Sequence, residues 1–265
     1  MIHLADTVTK ITHKAKGSVL VCGSHGGLYP GYLAAKAGVK AAIFNDAGGG
    51  RDNAGTGSLA YLEKLGIAAA TAGNMSCRIG DAQDMAVRGR ISHVNGLATR
   101  LGVRPGEPCL DAARKLERAI LPPEADIGPV SEARSLYAAS GSRRIVLIDS
   151  ASLVLPEDKG QIVVTGSHGG LLGGNDFLAL QVDAFAGVFH DAGVGIDEAG
   201  TTRLPALDRR GIAGMTVDGA SARIGDARSI FKDGIVSRIN DTAGSYGATV
   251  GEKLRERLLR WSGEA

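Results

Sequence analysis

Short apolar runs alternate along the chain with segments in which apolar residues recur at helical spacing. Runs of strand length lie at residues 18–22, 39–44 and 67–71, and segments with helical spacing lie at 32–36 and 58–65. Strands that alternate with helices in this way are typical of a parallel sheet whose strands are joined by crossover helices. The pattern therefore predicts an α/β fold.

The pattern occurs twice in the chain, and this duplication is the strongest indication of the architecture. The segment GSVLVCGSHGGL begins at Gly17, its counterpart GQIVVTGSHGGL begins at Gly160, and eight of the 12 positions are identical. Two further pairs of segments match: FNDAGGGRDNAGT with FHDAGVGIDEAGT, and SCRIGDA with SARIGDA. We predict two tandem homologous Rossmann-like units with mostly parallel sheets and crossover helices, related by a pseudo-twofold axis.

The repeats set the predicted domain boundaries. Residues 1–107 form the first α/β repeat, and residues 144–252 form the second. Between them, residues 108–143 include the sequence DAARKLERAIL, whose helical spacing predicts a helical connector. Residues 253–265 place leucines on one stripe and charged residues elsewhere, which predicts a C-terminal amphipathic helix.

Composition and charge exclude several classes of protein. The 265 residues include 30 basic and 28 acidic side chains, and a net charge of +2 is not typical of a nucleic-acid-binding surface. The chain has neither an apolar run of the roughly 18 residues that a membrane-spanning helix needs nor a signal-peptide core. Its three cysteines lack CxxC spacing and do not indicate a disulfide framework. We expect a cytoplasmic protein that binds neither nucleic acid nor membranes.

Polar residues follow the predicted strands at their carboxyl ends in both repeats. Ligands bind at that edge of open α/β sheets, so we expect these side chains to converge on one composite small-molecule site. The residues are Ser24, His25 and Asp46 in the first repeat and Ser167, His168 and Asp191 in the second.

The GSHGG loop between a strand and a helix is the most distinctive motif. Its glycines expose backbone N–H groups at a helix N-terminus, where they would bind a carboxylate or a developing oxyanion. His25 and His168 would act as general acid or base, and the serines before them as hydrogen-bonding groups or nucleophiles. The alternative is a structural turn with a serine cap and a histidine bonded to the backbone. The glycines assigned to substrate binding are Gly26, Gly27, Gly169 and Gly170.

Carboxylate and guanidinium groups extend the predicted site. Asp46 and Asp191 would orient a histidine, bind a metal or act as a base, or else would only stabilise a turn. Arg side chains bind substrate carboxylates in a bidentate manner, although they also form internal Arg–Asp pairs. The residues assigned to substrate binding on this ground are Arg78, Arg223, Ser76 and Ser221.

The second repeat contains additional candidates for metal binding or proton transfer. His190 precedes Asp191, where the first repeat has Asn45, and Asp149 ends an earlier predicted strand. His168, His190 and either Asp191 or Asp149 would hold a divalent metal ion that activates water. The sequence leaves two possibilities open, catalysis without a cofactor and catalysis assisted by a divalent metal.

These motifs predict a hydrolase that acts on an amide, a lactam or a related carbonyl compound bearing a carboxylate. Such an amidohydrolase would serve small-molecule metabolism, and we expect it to be a homo-oligomer. A nicotinamide cofactor is not expected because the glycine loop lacks the GxGxxG spacing. Two alternatives stay open: a non-catalytic metabolite-binding or regulatory domain, and an isomerase or racemase that uses one acid or base from each repeat.

Overall fold

The computed structural model describes residues 1–123, 127–137, 142–172 and 176–263. By their contacts the residues form two compact units, and each unit includes three residues from the other half of the sequence. The first unit consists of Met1–Gly49, Asn53–Ser131 and Gly195–Asp197, and the second consists of Gly50–Asp52, Glu132–Val194 and Glu198–Ala265.

A five-stranded mixed sheet forms the centre of the first unit. Its strands, in their order across the sheet, are β1 (Ile2–Ala5), β2 (Val19–His25), β3 (Ala41–Asn45), β4 (Ala68–Ala72) and β5 (Ile91–Val94). Strands β1 to β4 are parallel, and β5 pairs with β4 in the antiparallel direction. The carboxyl ends of β2, β3 and β4 therefore lie at one edge of the sheet, and their amino ends lie at the opposite edge.

Helices cover both faces of this first sheet. Alternate residues of β2 enter two apolar clusters: Val19 and Val21 pack on one side, and Leu20 and Cys22 pack on the other. Burial on both faces explains why the strands contain nearly continuous apolar runs instead of alternating polar residues. The helices of this unit are α1 (Leu28–Lys36), α2 (Ser58–Lys64), α3 (Ala82–Arg88), α4 (Gly96–Arg100) and α5 (Cys109–Leu116).

A six-stranded mixed sheet forms the centre of the second unit. The strands are β6 (Arg134–Tyr137), β7 (Ile145–Ile148), β8 (Ile162–His168), β9 (Ala186–His190), β10 (Ala213–Val217) and β11 (Val236–Ile239). Their order across the sheet is β11-β10-β9-β8-β7-β6. Strands β7 to β10 are parallel, and the two edge strands β6 and β11 are antiparallel to their neighbours.

The second sheet is also buried on both faces. One face packs against α7 (Ala227–Asp233) and α9 (Leu254–Ser262), and the other packs against α6 (Arg203–Asp208). A short helix, α8 (Asp241–Ser245), precedes α9. None of the described helices is long and apolar enough to cross a membrane.

Short polar side chains fix the first turns of several of these helices. The Asp81 carboxylate accepts the Asp84 N–H at 2.8 Å at the start of α3, and Asp226 accepts the Ser229 N–H at 2.9 Å at the start of α7. Asn95 caps α4, and its amide also donates to the Ile67 carbonyl at 3.0 Å, which ties the helix to the beginning of β4. These residues place helices on the sheet because they satisfy backbone groups that the helix itself leaves unpaired.

The predicted α/β class is confirmed, and the two mostly parallel sheets are consistent with two Rossmann-like units. The homology of the halves, the pseudo-twofold relation and the domain boundaries stay predictions. The segment predicted as a helical connector contains α5 and, in addition, the strand β6. Residues 124–126 and 138–141 of that connector, and the last two residues of the predicted C-terminal helix, lie outside the described residues.

Candidate functional site

Within each unit, the predicted histidine, serine and aspartate residues lie at the carboxyl edge of the sheet. In the first unit β2 ends at His25 and β3 ends at Asn45, one residue before Asp46. In the second unit β8 ends at His168 and β9 ends at His190. Their positions at the ends of the strands do not decide what these groups do. Their hydrogen-bond partners show which donors and acceptors are already engaged.

The glycine N–H groups of both GSHGG loops donate to groups within their own unit. The Gly26 N–H donates to the Asn45 carbonyl at 2.7 Å, and the Gly27 N–H donates to His25 Nδ1 at 3.2 Å. In the second unit the corresponding bonds join Gly169 to the His190 carbonyl at 2.8 Å and Gly170 to His168 Nδ1 at 3.1 Å. An oxyanion would have to compete with these acceptors for the four N–H groups assigned to it.

The two serines of the motif hold neighbouring backbone segments. Ser24 is buried, and its hydroxyl oxygen accepts the Val8 N–H at 3.0 Å, at the beginning of the 3-10 helix Val8–Lys10. Ser167 accepts the Ala151 N–H at 2.9 Å in the same way. These contacts agree with the structural interpretation of the serines, since a buried N–H without a partner destabilises the folded state.

The aspartates after β3 and β9 each accept two backbone N–H groups. Asp46 Oδ1 accepts from Gly48 and from Asn74, both at 2.9 Å. Asp191 Oδ1 accepts from Gly193 at 2.8 Å and from Gly219 at 3.0 Å. Both carboxylates are buried. Each aspartate thus connects the loop after its own strand to the loop after the next strand.

The predicted carboxylate-binding arginines form ion pairs with aspartates of their own unit. Arg78 Nε donates to Asp197 Oδ2 at 3.0 Å in the first unit. Arg223 Nε donates to Asp52 Oδ2 at 2.7 Å in the second. A hydrogen bond from Arg88 lowers the pKa of Asp197, so this carboxylate is held in its ionised form. A substrate carboxylate would therefore compete with an aspartate for either arginine.

Ser76 and Ser221 close equivalent turns beside these arginines. The Ser76 hydroxyl donates to the Gly73 carbonyl at 2.7 Å and accepts the Arg90 N–H at 2.9 Å. The Ser221 hydroxyl donates to the Asp218 carbonyl at 2.6 Å and accepts the Ile235 N–H at 3.0 Å. Both hydroxyls act as a donor and as an acceptor toward the backbone.

His190 and Asp149, two of the predicted metal ligands, are bonded to the backbone. His190 Nδ1 accepts the Ala192 N–H at 3.0 Å, and His190 Nε2 lies 3.1 Å from the Ala222 carbonyl. The two oxygens of Asp149 accept the Ala227 and Ala133 N–H groups at 3.0 and 2.7 Å. In the part of the chain that the structure describes, no three His, Cys, Asp or Glu side chains are placed to hold a metal ion. Metal assistance stays a prediction.

Glu132 is a titratable neighbour of Asp149 that the sequence did not single out. Its burial, and secondarily the Asp149 charge, raise the pKa of Glu132 to about 7. The local sequence around Glu132 does not indicate this shift, because the burial of its carboxyl group and, secondarily, the approach of Asp149 depend on the fold.

A cavity of about 610 Å³ lies in the first unit, at the amino edge of the sheet. Its lining residues come from the 3-10 turns at 8–16, the end of α1 with residues 37–39, the chain before β4, and residues 121–123 with Ile127. Strands β2, β3 and β4 begin at this edge and end at the opposite edge, where the predicted site residues lie. Most of the cavity lining therefore lies at the edge opposite the GSHGG loop of the same unit, and Val8, whose N–H donates to Ser24, is the lining residue next to that loop.

The walls of this cavity are mostly apolar, and the ionisable residues among its described lining are basic. Val8, Val39 and Ile67 are buried behind it, whereas His13, Lys16 and Lys36 are exposed. Among its described lining residues, none is acidic. The sequence analysis did not predict this cavity because its lining residues come from separate segments. The sequence shows that most of them are apolar, but core residues are apolar as well.

Ser24 connects the motif at the carboxyl edge to the wall of the cavity. Its hydroxyl fixes the N–H of Val8, and Val8 lines the cavity. The stem of Lys16 passes over Gly38, where an added Cβ would lie 3.1 Å from Lys16 Cγ. Gly38 also has a φ of +73°, which favours glycine. The cavity wall is thus positioned by specific local contacts.

Comparison of the chain with protein-family models, curated proteins and solved structures found no significant match. The function must therefore be inferred from the contacts of the residues themselves.

Proposed function

We propose that the protein binds a small molecule, and that the apolar body of this molecule enters the cavity at the amino edge of the first sheet. The observation that carries the proposal is the cavity itself. Its volume of about 610 Å³ lies within the range of roughly 300–1,000 Å³ typical of small-molecule sites. Such sites combine apolar walls with a few polar groups, as this cavity does.

The carboxyl edge gives less support to the predicted hydrolysis of an amide or lactam. The glycine N–H groups, the serine hydroxyls and the arginines assigned to that reaction all have partners within their own unit. Hydrolysis therefore stays a prediction, and ligand binding without catalysis, the first alternative from the sequence, is the function that the geometry supports best.

The proposal predicts that straight-chain alcohols displace the neutral dye Nile red from the protein. Each additional methylene that enters the cavity contributes about 0.8 kcal/mol, so the dissociation constant should fall about fourfold per carbon until the cavity is filled. Displacement would be followed by fluorescence for 1-pentanol to 1-octanol.

A cavity-filling variant with a matched control tests whether the binding occurs in this cavity. Ala37 lines the cavity, so A37F should abolish displacement, whereas A60F introduces the same side chain at an exposed position of α2 outside the cavity and should not. Circular dichroism would verify that both variants are folded. Equal displacement from folded A37F and A60F would exclude the cavity as the binding site.

A further inference from the structure

We infer that Ser24 is a positioning residue for the cavity, because it fixes residues 6–18, here called the crossover, which form one of the cavity walls. The inference rests on the proposed function, since it gives the first GSHGG loop a role in binding the same ligand. It is carried by the path of the crossover between the two edges of the sheet and by the hydrogen bond that ties its first turn to β2.

The crossover runs from one edge of the first sheet to the other. Strands β1 and β2 are parallel, and Ala5, the last residue of β1, pairs with Cys22 of β2. Because β2 begins at Val19, the crossover starts at the carboxyl edge and returns to the amino edge. Connections between parallel strands cross a sheet in this way, usually as an α-helix. This one contains two 3-10 helices instead, Val8–Lys10 and His13–Ala15.

The crossover is one wall of the cavity. Val8 is 4% exposed and belongs to the same apolar cluster as Val39 and Ile67, which line the cavity from other segments. A ligand in the cavity would therefore contact Val8 together with these core residues. The crossover contributes the following residues to the lining: Val8, Thr9, Ile11, Thr12, His13 and Lys16.

Ser24 ties the first turn of the crossover to the sheet. Within that turn, the Ile11 N–H donates to the Val8 carbonyl at 3.3 Å, which is longer than usual for such a bond. The hydrogen bonds of 3-10 helices have poorer geometry than those of α-helices, so they hold a turn less firmly. The Val8 N–H donates to the Ser24 hydroxyl oxygen at 3.0 Å. This bond fixes the backbone of Val8 on β2.

Loss of the Ser24 hydroxyl would change the shape of the cavity, although Ser24 is not one of the lining residues. The Val8 N–H would be buried without a partner, which is unfavourable. The backbone recovers a partner for such a group by moving toward water. That movement withdraws Val8 from the wall, so the ligand loses apolar contact.

The test measures the dissociation constant of 1-octanol for the folded wild type and for S24A by isothermal titration calorimetry. We expect S24A to bind 1-octanol at least about fourfold more weakly, the equivalent of one methylene that loses its contact. Circular dichroism would verify that the variant is folded.

S167A is the matched control for S24A. Ser167 accepts the Ala151 N–H at 2.9 Å in the second unit, and Ala151 does not line the cavity. Both variants remove the same kind of hydrogen bond, so both should lose stability. Only S24A should lose affinity, because a loss of stability alone leaves the affinity of the folded protein unchanged.

Amide exchange of the wild type, followed by NMR, tests the inference independently of how S24A folds. The Val8 N–H exchanges when its bond to Ser24 opens. If that opening displaces the wall, 1-octanol at about ten times its dissociation constant should slow the exchange about tenfold. The Ala151 N–H, bonded to Ser167 in the second unit, is the control and should be unchanged.

The outcomes separate this inference from the proposed function. If the wild type does not bind 1-octanol, the proposed function itself is wrong. If the wild type binds it and A37F does not, but S24A binds as tightly as the wild type, the cavity is the site and the role of Ser24 is wrong. Equal weakening in S24A and S167A, or equal exchange behaviour of the Val8 and Ala151 amides on addition of 1-octanol, would also overturn the inference.

Discussion

His190 and Asn45 perform the same structural task in the two units with different side chains. His190 Nδ1 accepts the Ala192 N–H, so its proton is on Nε2, which donates to the Ala222 carbonyl at 3.1 Å. Asn45 Oδ1 accepts the Ala47 N–H at 2.9 Å, and its amide nitrogen donates to the Cys77 carbonyl at 3.4 Å. The exchange of histidine for asparagine therefore has a structural explanation that requires neither a metal nor proton transfer.

This equivalence predicts the pH dependence of the H190N variant. Burial lowers the pKa of His190 below its usual value of about 6.5, so the unfolded chain binds more protons than the folded one below that pH. The wild type should therefore lose stability as the pH falls from 6.5, and H190N should lack this loss. Relative to the wild type, we expect the variant to gain up to about 1.4 kcal/mol per pH unit. Urea unfolding at pH 7.5, 6.5 and 5.5 measures the difference.

The test must use the difference in the free energy of unfolding between the wild type and H190N, because the titration of Glu132 changes the stability of both proteins with pH in the opposite direction. Its pKa is raised to about 7, so the folded state binds the additional proton there, and stability falls as the pH rises toward 7. That contribution is common to both proteins and cancels. A difference that stays constant from pH 7.5 to 5.5 would contradict the assignment of His190 as a buried neutral side chain.

The sequence identified His25 and Ser24 as distinctive residues but could not decide their role. Serine next to histidine in a glycine loop fits both a catalytic loop and a set of backbone acceptors. The role of Ser24 depends on its hydrogen bond with the Val8 N–H, and Val8 lies 16 residues before Ser24 in the chain. Spacing within a motif carries no information about such a partner, because it is brought into contact only by the fold.

At the scale of elements, the loops after β3 and β9 have an unusual backbone conformation. All non-glycine residues with positive φ in the described ranges lie within residues 47–53 and 192–198. Val194 is the most unfavourable case, a β-branched residue at φ +61°. Such conformations cost about 1–3 kcal/mol each and persist only where neighbouring contacts determine them. Here Asp46 and Asp191 supply such contacts through the N–H groups they accept.

In the loop after β3, Gly55 packs against the backbone of Asp46. This contact predicts a large difference in stability between two glycine substitutions. A Cβ at Gly55 would overlap the Asp46 carbonyl oxygen, whereas the nearest atoms to a Cβ at Gly57 lie 3.6 Å away. We expect G55A to lower the free energy of unfolding by at least about 2 kcal/mol, because the Cβ would meet the backbone of Asp46, directly after β3, and not the movable end of a side chain. G57A should be neutral or slightly stabilising. Urea unfolding of the two variants side by side provides the measurement, and equal stability would show that the loop is not packed in this way.

The elements themselves were predictable to the extent that they are buried. The strands β2, β3 and β4 are nearly continuous apolar runs because helices cover both faces of the sheet, and these runs are visible in the sequence. The strand β6 was not predicted. It lies at the edge of its sheet, its Leu136 is 53% exposed, and its sequence RSLY carries neither a long apolar run nor a turn signal on each side. Edge strands depend on a neighbour for pairing, which the local sequence does not record.

At the scale of the whole molecule, the first unit has two candidate ligand sites, one at each edge of its sheet. The sequence directed attention to the carboxyl edge, where a general rule for α/β folds places ligands and where the distinctive motifs occur. The structure has its cavity at the amino edge, built from segments as distant in sequence as Val8 and Ile127. Residues so far apart form no motif, so the sequence could predict the fold of this unit but not the position of the cavity.

Hydrogen–deuterium exchange with and without 1-octanol distinguishes the two edges in a single experiment. If the ligand binds in the cavity, exchange should slow in peptides covering residues 8–16 and 33–39, whose residues line it. Peptides covering residues 47–53 and 192–198, in the loops at the carboxyl edges, should be unchanged. Only amides that exchange by local opening are informative, because binding slows exchange through global unfolding at every position.

The reverse result has an equally definite meaning. Protection confined to the loops at 47–53 or 192–198 would place the ligand beside Asp46 or Asp191 and would restore the site that the sequence predicts. The A37F variant supplies the internal control, since a side chain that fills the cavity should abolish protection of residues 8–16 and leave any protection at the carboxyl edge intact. At a ligand concentration that saturates the protein, the exchange pattern therefore tests whether the ligand binds in the cavity or at a carboxyl edge.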